Sequence, residues 1–146
     1  PGQAIFVNPS DLVRENQEET FNILRQFQTL GFRLFVLAQS DEIIMRQVQK
    51  LFQQQGVEFG NAPRTFERAD HIEKIAEDYD ISLAKSFIIS SAMQDIQMGR
   101  EVNCKTILLK KRVDAEEGNS NSYIGPNYTA EDFQKAANLI LRFRQK

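Results

Sequence analysis

Four short polar stretches hold the side chains best placed for chemistry: Asn8-Pro9-Ser10-Asp11, Ala38-Gln39-Ser40, Ser90-Ser91 and Lys110-Lys111-Arg112. Each directly follows an apolar run. The chain of 146 residues has one His and one Cys. That excludes a zinc site built on several His or Cys and an intramolecular disulfide. Any catalysis falls to carboxylates, hydroxyls or lysines, the groups that act as nucleophiles or as general acids and bases in their place.

Those four stretches need a frame. Ala4-Ile5-Phe6-Val7 is wholly apolar and reads as a buried strand that stops at an Asn-Pro turn. Phe21, Leu24, Phe27 and Leu30 recur at helical spacing, with Gly31 as the stop. A second strand covers residues 32–37. Ser40 and Asp41 can cap a helix carrying Ile44, Val48, Leu51 and Phe52, which Gly56 ends. Val57-Glu58-Phe59 reads as a weak third strand. Ile72, Ile75, Ala76 and Tyr79 mark another helix. A strand at 86–89, a short helix at 93–102 and a strand at 106–109 follow. A polar loop covers 114–122. Thr129-Ala130-Glu131-Asp132 is similar to a capping box with Asp in place of Glu, opening a last helix.

Strands apolar on both faces and alternating with helices predict a parallel sheet covered on both sides. The expected fold is α/β: a three-layer, doubly wound parallel sheet forming one domain over residues 1–146. The hydrophobic share of 41%, with 11 Phe, is enough for a core. With 18 Lys+Arg against 20 Asp+Glu, the net charge of −2 gives no general attraction to nucleic acid or to an anionic membrane. No apolar run reaches the roughly 18–20 residues of a membrane span, and no leader pattern precedes the first strand. A soluble cytoplasmic domain is expected.

In such a sheet, ligands bind outside the carboxyl ends of the strands, where all four polar stretches fall. Their order resembles the haloacid dehalogenase-like (HAD) superfamily, and within it the capless heptose-bisphosphate and histidinol-phosphate phosphatases. Ala4-Ile5-Phe6-Val7 matches the first strand of that family. The stretch Leu30-Gly-Phe-Arg-Leu-Phe-Val-Leu-Ala-Gln-Ser40 is similar to its second motif. Ile81-Ser-Leu-Ala-Lys-Ser-Phe-Ile-Ile89 and Asp95-Ile-Gln-Met-Gly99 flank its fourth. The resemblance covers nearly the whole chain and implies a Rossmann-like phosphatase scaffold without a cap.

The same resemblance implies lost chemistry. The family's first motif, D-x-D-G-T, supplies an aspartate nucleophile and an aspartate acid/base; here those positions are Asn8 and Ser10. The phosphate-binding Thr of the second motif is Ala38. The matching region for the phosphate-stabilising Lys offers only Arg64 and Arg68. The first Asp of G-D-x-x-x-D is Ser91, and only the last Asp is kept, as Asp95. An amide is not an anionic nucleophile, and magnesium is anchored by carboxylates that Asn8 and Ser91 do not provide. No metal site and no cofactor are therefore expected. Pro9 also denies Asn8 the following N–H through which asparagine converts to aspartate. Only residues 13–19 separate the first motif from the first long helix, so the gating flap of active members is short.

The remaining polar residues have plainer readings. Asp11 reads as a turn or helix-capping carboxylate, not a displaced nucleophile. Asp95 reads as a structural carboxylate at a helix N-terminus ahead of a relic metal ligand. Cys104 reads as buried and inert, His71 as a surface helix residue, and Lys110-Lys111-Arg112 as a solvated face. The expected function is a catalytically inactive HAD-like domain for protein interaction or regulation, through a protein partner or self-association, with no nucleic acid or membrane. Its contact surfaces would be the strand-end rim and the 114–122 loop. The alternatives are an atypical magnesium-dependent phosphatase of a small phosphate ester, or a small-anion or nucleotide binder using Arg64, Arg68 and Ser40.

Overall fold

The structure is a computed structural model that describes residues 1–14, 16–37, 41–59, 69–110 and 125–144. Five strands form one parallel sheet: β1 (Gln3–Val7), β2 (Phe32–Val36), β3 (Phe87–Ser90), β4 (Lys105–Leu109) and β5 (Tyr128–Ala130). Their order is β2-β1-β3-β4-β5. The helices are α1 (Pro9–Arg14), α2 (Gln17–Thr29), α3 (Glu42–Gln55), α4 (Ala69–Asp78), α5 (Met93–Glu101) and α6 (Phe133–Arg144).

Side-chain alternation along the strands sorts the core into two layers. Ile5, Val7, Leu34, Phe87, Ile89 and Ile107 face α2 and α6, whose Phe21, Leu24, Phe27, Phe133 and Ile140 are buried against them. Ala4, Phe6, Phe35 and Ile88 face the other way, onto Ile72 and Ile75 of α4 and Met98 of α5. A sheet covered on both faces accounts for strands that are mostly apolar and mostly buried. The expected three-layer α/β architecture is the one observed. Among the described residues, no helix is long and apolar enough to cross a membrane.

Local signals set most boundaries. Asn16 caps α2 by accepting from the Glu19 amide at 3.2 Å, and Gly31 leaves that helix at φ 98°. Asp41 caps α3 by accepting from the Ile43 amide at 2.9 Å. Gly56, at φ 65°, ends it in the left-handed conformation that glycine adopts without penalty.

Three local expectations are corrected. Val57-Glu58-Phe59 is not a strand. Val57 is buried and Phe59 stacks on Phe52 at 3.9 Å between ring centroids, so the apolar residues there cover α3 instead of joining the sheet. Thr129 does not cap α6; it lies in β5, opposite Leu108. Asp132 is the cap, accepting from the Lys135 amide at 2.9 Å. Thr and Asp are both capping types, and the β preference of Tyr128-Thr129 decides between them. Finally, Asn8-Pro9 does not form a simple turn. It starts α1, with Pro9 at the first helical position, where its missing N–H costs nothing.

Candidate functional site

The chain leaves β1 to one side for β2 and returns on its other side as β3. This reversal opens the crevice where ligands bind in sheets of this kind. Val7 pairs with Ile89 across it, so the residues just beyond meet: Asn8, Ser10 and Asp11 from the first connection, Ser90, Ser91 and Asp95 from the second.

Two hydrogen-bonded clusters fill the crevice. In the first, the Asn8 side-chain N–H donates to Asp95 Oδ2 at 2.8 Å, and the Ser90 hydroxyl donates to the same oxygen at 2.7 Å. Asn8 Oδ1 accepts from the Ser10 amide at 2.9 Å and from the Ser10 hydroxyl at 2.7 Å. The first of these bonds is the N-cap of α1. The amide can face only one way: turned over, its oxygen would oppose the Asp95 carboxylate and its N–H the Ser10 amide. In the second cluster, the Ser91 amide and hydroxyl donate to the two Asp11 carboxylate oxygens at 3.0 and 2.5 Å. The Ser90 hydroxyl also accepts from the Ala92 amide at 3.0 Å, which steadies the start of α5.

Asn8, Ser10, Asp11, Ser90 and Asp95 are buried, with Asp11 3% and Asp95 5% exposed. Burial raises the Asp11 carboxyl above its ordinary value; the bonds from Ser91 and the charge of Arg14 pull it back, and Asp95 adds a small push upward. Burial likewise raises Asp95, opposed by the bonds from Ser90 and Asn8. A buried carboxylate is costly unless donors meet it; here Asn8 and Ser90 donate to Asp95, and Ser91 donates twice to Asp11.

The sequence-derived residues divide accordingly. Asn8, Ser10, Ser91 and Asp95 come together as the strand-end reading expects. Ala38, Ser40, Arg64 and Arg68 lie outside the described residues, as do Lys111, Arg112 and the 114–122 loop. Asp11 is corrected: it caps no turn, but sits in the first turn of α1 and ties that helix to the loop before α5. Asp95 lies in the first turn of α5, as its structural reading expects, and accepts from Asn8 and Ser90. Ser90, named in the strand-end stretch but given no role of its own, donates to Asp95 and accepts from the Ala92 amide. Cys104 is buried, with its thiol pushed up to about 12 by burial. His71 is half-buried on α4 instead of lying at the surface.

A magnesium ion, which the HAD resemblance implies, does not fit these donors. The ion takes oxygen ligands and depends on carboxylates. Asn8 turns an N–H, not an oxygen, toward Asp95, and its oxygen already accepts two hydrogen bonds. The Ser91 hydroxyl is committed to Asp11. No group of three or more His, Cys, Asp or Glu able to hold a metal occurs among the described residues.

No family model and no curated protein matches this sequence. Solved structures do. The D,D-heptose 1,7-bisphosphate phosphatase of B. bronchiseptica, determined with magnesium and phosphate, superposes with a TM-score of 0.69 at 13% identity, covering 97% of this chain and 99% of its own. The Burkholderia thailandensis enzyme of the same name gives 0.67 at 13% identity, with 99% of each chain covered. An L-2-haloacid dehalogenase gives 0.61 at 14% identity over 84% of this chain and 55% of its own. The chain has the haloacid dehalogenase-like fold.

Proposed function

We propose that this chain is a catalytically inactive HAD-like domain that works by binding a protein partner, another copy of itself included, in an interaction or regulatory role. One observation carries the reading: the Asn8 carboxamide lies between Ser10 and Asp95, where the family resemblance calls for an anionic nucleophile beside a metal-bound carboxylate. The Asn8 amide donates an N–H to the buried Asp95 carboxylate at the place a cation would otherwise take. The crevice is then complete without metal or phosphate. No carboxylate oxygen of Asp11 is without a donor, so a shifted nucleophile is disfavoured as well.

Loops and helix starts at the strand ends remain available for contact. The start of α3 presents Ile43, whose 68% exposure is the highest among the large apolar side chains at described positions. Affinity purification from the native host, with wild type and Ile43→Glu in parallel, tests the binding role. The reading expects a stoichiometric partner recovered with wild type and lost with the variant. A chain that purifies alone and stays monomeric at all concentrations contradicts it.

A further inference from the structure

A second concave surface lies away from the crevice, between the end of β4, β5 and one face of α6. Its cavity of about 380 Å3 is lined by Lys110, Thr129, Glu131, Lys135, Asn138 and Arg142, among others. Lys135, Asn138 and Arg142 stand at helical spacing on one face of α6. Seven residues of helix place Lys135 and Arg142 about 10 Å apart along the axis. Lys110 approaches from the sheet, its backbone held by a 2.8 Å bond from its amide to the Ala130 carbonyl.

The charge here is unlike that of the chain. The molecule carries a net −2, whereas this cavity gathers three cations and one carboxylate. Glu131 is taken by Lys135 at 3.0 Å, and the Asp132 carboxylate caps the Lys135 amide at 2.9 Å. Among the described residues, Lys110 and Arg142 have no ion-pair partner. The Lys135–Glu131 pair is about half exposed at both ends, so it is weakly held and is readily given up to a more highly charged anion. Thr129 and Asn138 add neutral donors. Converging cations in a concavity focus a positive field on whatever enters it.

We propose that this cavity binds a small, multiply charged phosphate compound, with Lys110, Lys135 and Arg142 each meeting a different part of its charge. The proposal does not depend on the reading of the crevice between β1 and β3.

Titration with inorganic triphosphate, followed by amide NMR, tests it. Saturable shifts are expected at Lys110, Thr129, Asn138 and Arg142, and sodium chloride at matched ionic strength leaves these amides in place. Lys110→Gln with Arg142→Gln weakens binding at least tenfold while the rest of the spectrum is unchanged. Glu131→Gln tightens it several-fold, because Lys135 is released; a merely structural carboxylate would not act in that direction. Absence of saturable binding, shifts centred on the Asn8 crevice, or a double variant that binds like wild type overturns the proposal.

Discussion

At the scale of single residues, the Asn8 carboxamide presents an N–H to the buried Asp95 carboxylate. Asn8→Asp would set a second carboxylate 2.8 Å from Asp95 in a buried site. Like charges so close cannot both ionise without cost, and one of the pair is driven to hold its proton. The wild type already has two carboxyls, Asp11 and Asp95, whose native values lie above the ordinary 3.8. In the pH range between 3.8 and those raised values, the native state binds more protons than the unfolded chain. The contribution of these groups to stability therefore falls as pH rises through that range. Asn8→Asp extends the fall toward neutral pH. Urea unfolding at pH 5 and pH 7.5 should find the variant less stable than wild type by about 2 kcal/mol or more at the higher pH, with a smaller gap at the lower. An equal deficit at both values would mean that Asn8 matters for shape and not for charge. Asp95 and Ser91 were placed by the resemblance to the family's fourth motif. The bond from Ser91 to Asp11 was not legible, because it joins residues 80 positions apart through a packing that only the fold creates.

At the scale of elements, the site depends on how tightly α5 lies on the sheet. A Cβ at Gly99 would stand 2.6 Å from Thr106 Cγ2 and 2.7 Å from Ile88 Cδ1. Glycine lets the helix backbone approach β3 and β4, and that approach carries Asp95 into reach of Asn8. Gly99→Ala should lower stability by about 1–3 kcal/mol, read as a shift in urea midpoint. It should also loosen the crevice, read as faster exchange of the Ser91 amide proton. A neutral substitution would show that α5 has room to move. The long elements were legible because their apolar residues keep helical or strand periods and their caps are strong: Asp41 before α3, Gly31 and Gly56 after α2 and α3. The short ones were not. β5 has three residues, and its Thr129 is as good a cap as a strand residue. Val57-Glu58-Phe59 is apolar enough for a strand, yet its side chains serve the helix layer.

At the scale of the molecule, strand order creates the crevice before any side chain is chosen. The same doubly wound sheet supports the heptose-bisphosphate phosphatases it resembles, at 13% identity. Fold and chemistry thus separate: the two buried layers are kept by apolar periodicity, whereas the crevice depends on a few polar positions that contribute little to that pattern. This is why the architecture could be read from the sequence nearly whole, while the hydrogen bonds that link Asn8, Asp11, Ser90, Ser91 and Asp95 needed coordinates. The most direct measurement is phosphate release from a broad panel of small phosphate monoesters, with magnesium in excess, by wild type and Asp11→Ala. The account predicts no release above the blank from either protein. Magnesium-dependent turnover by wild type that disappears in Asp11→Ala would contradict it.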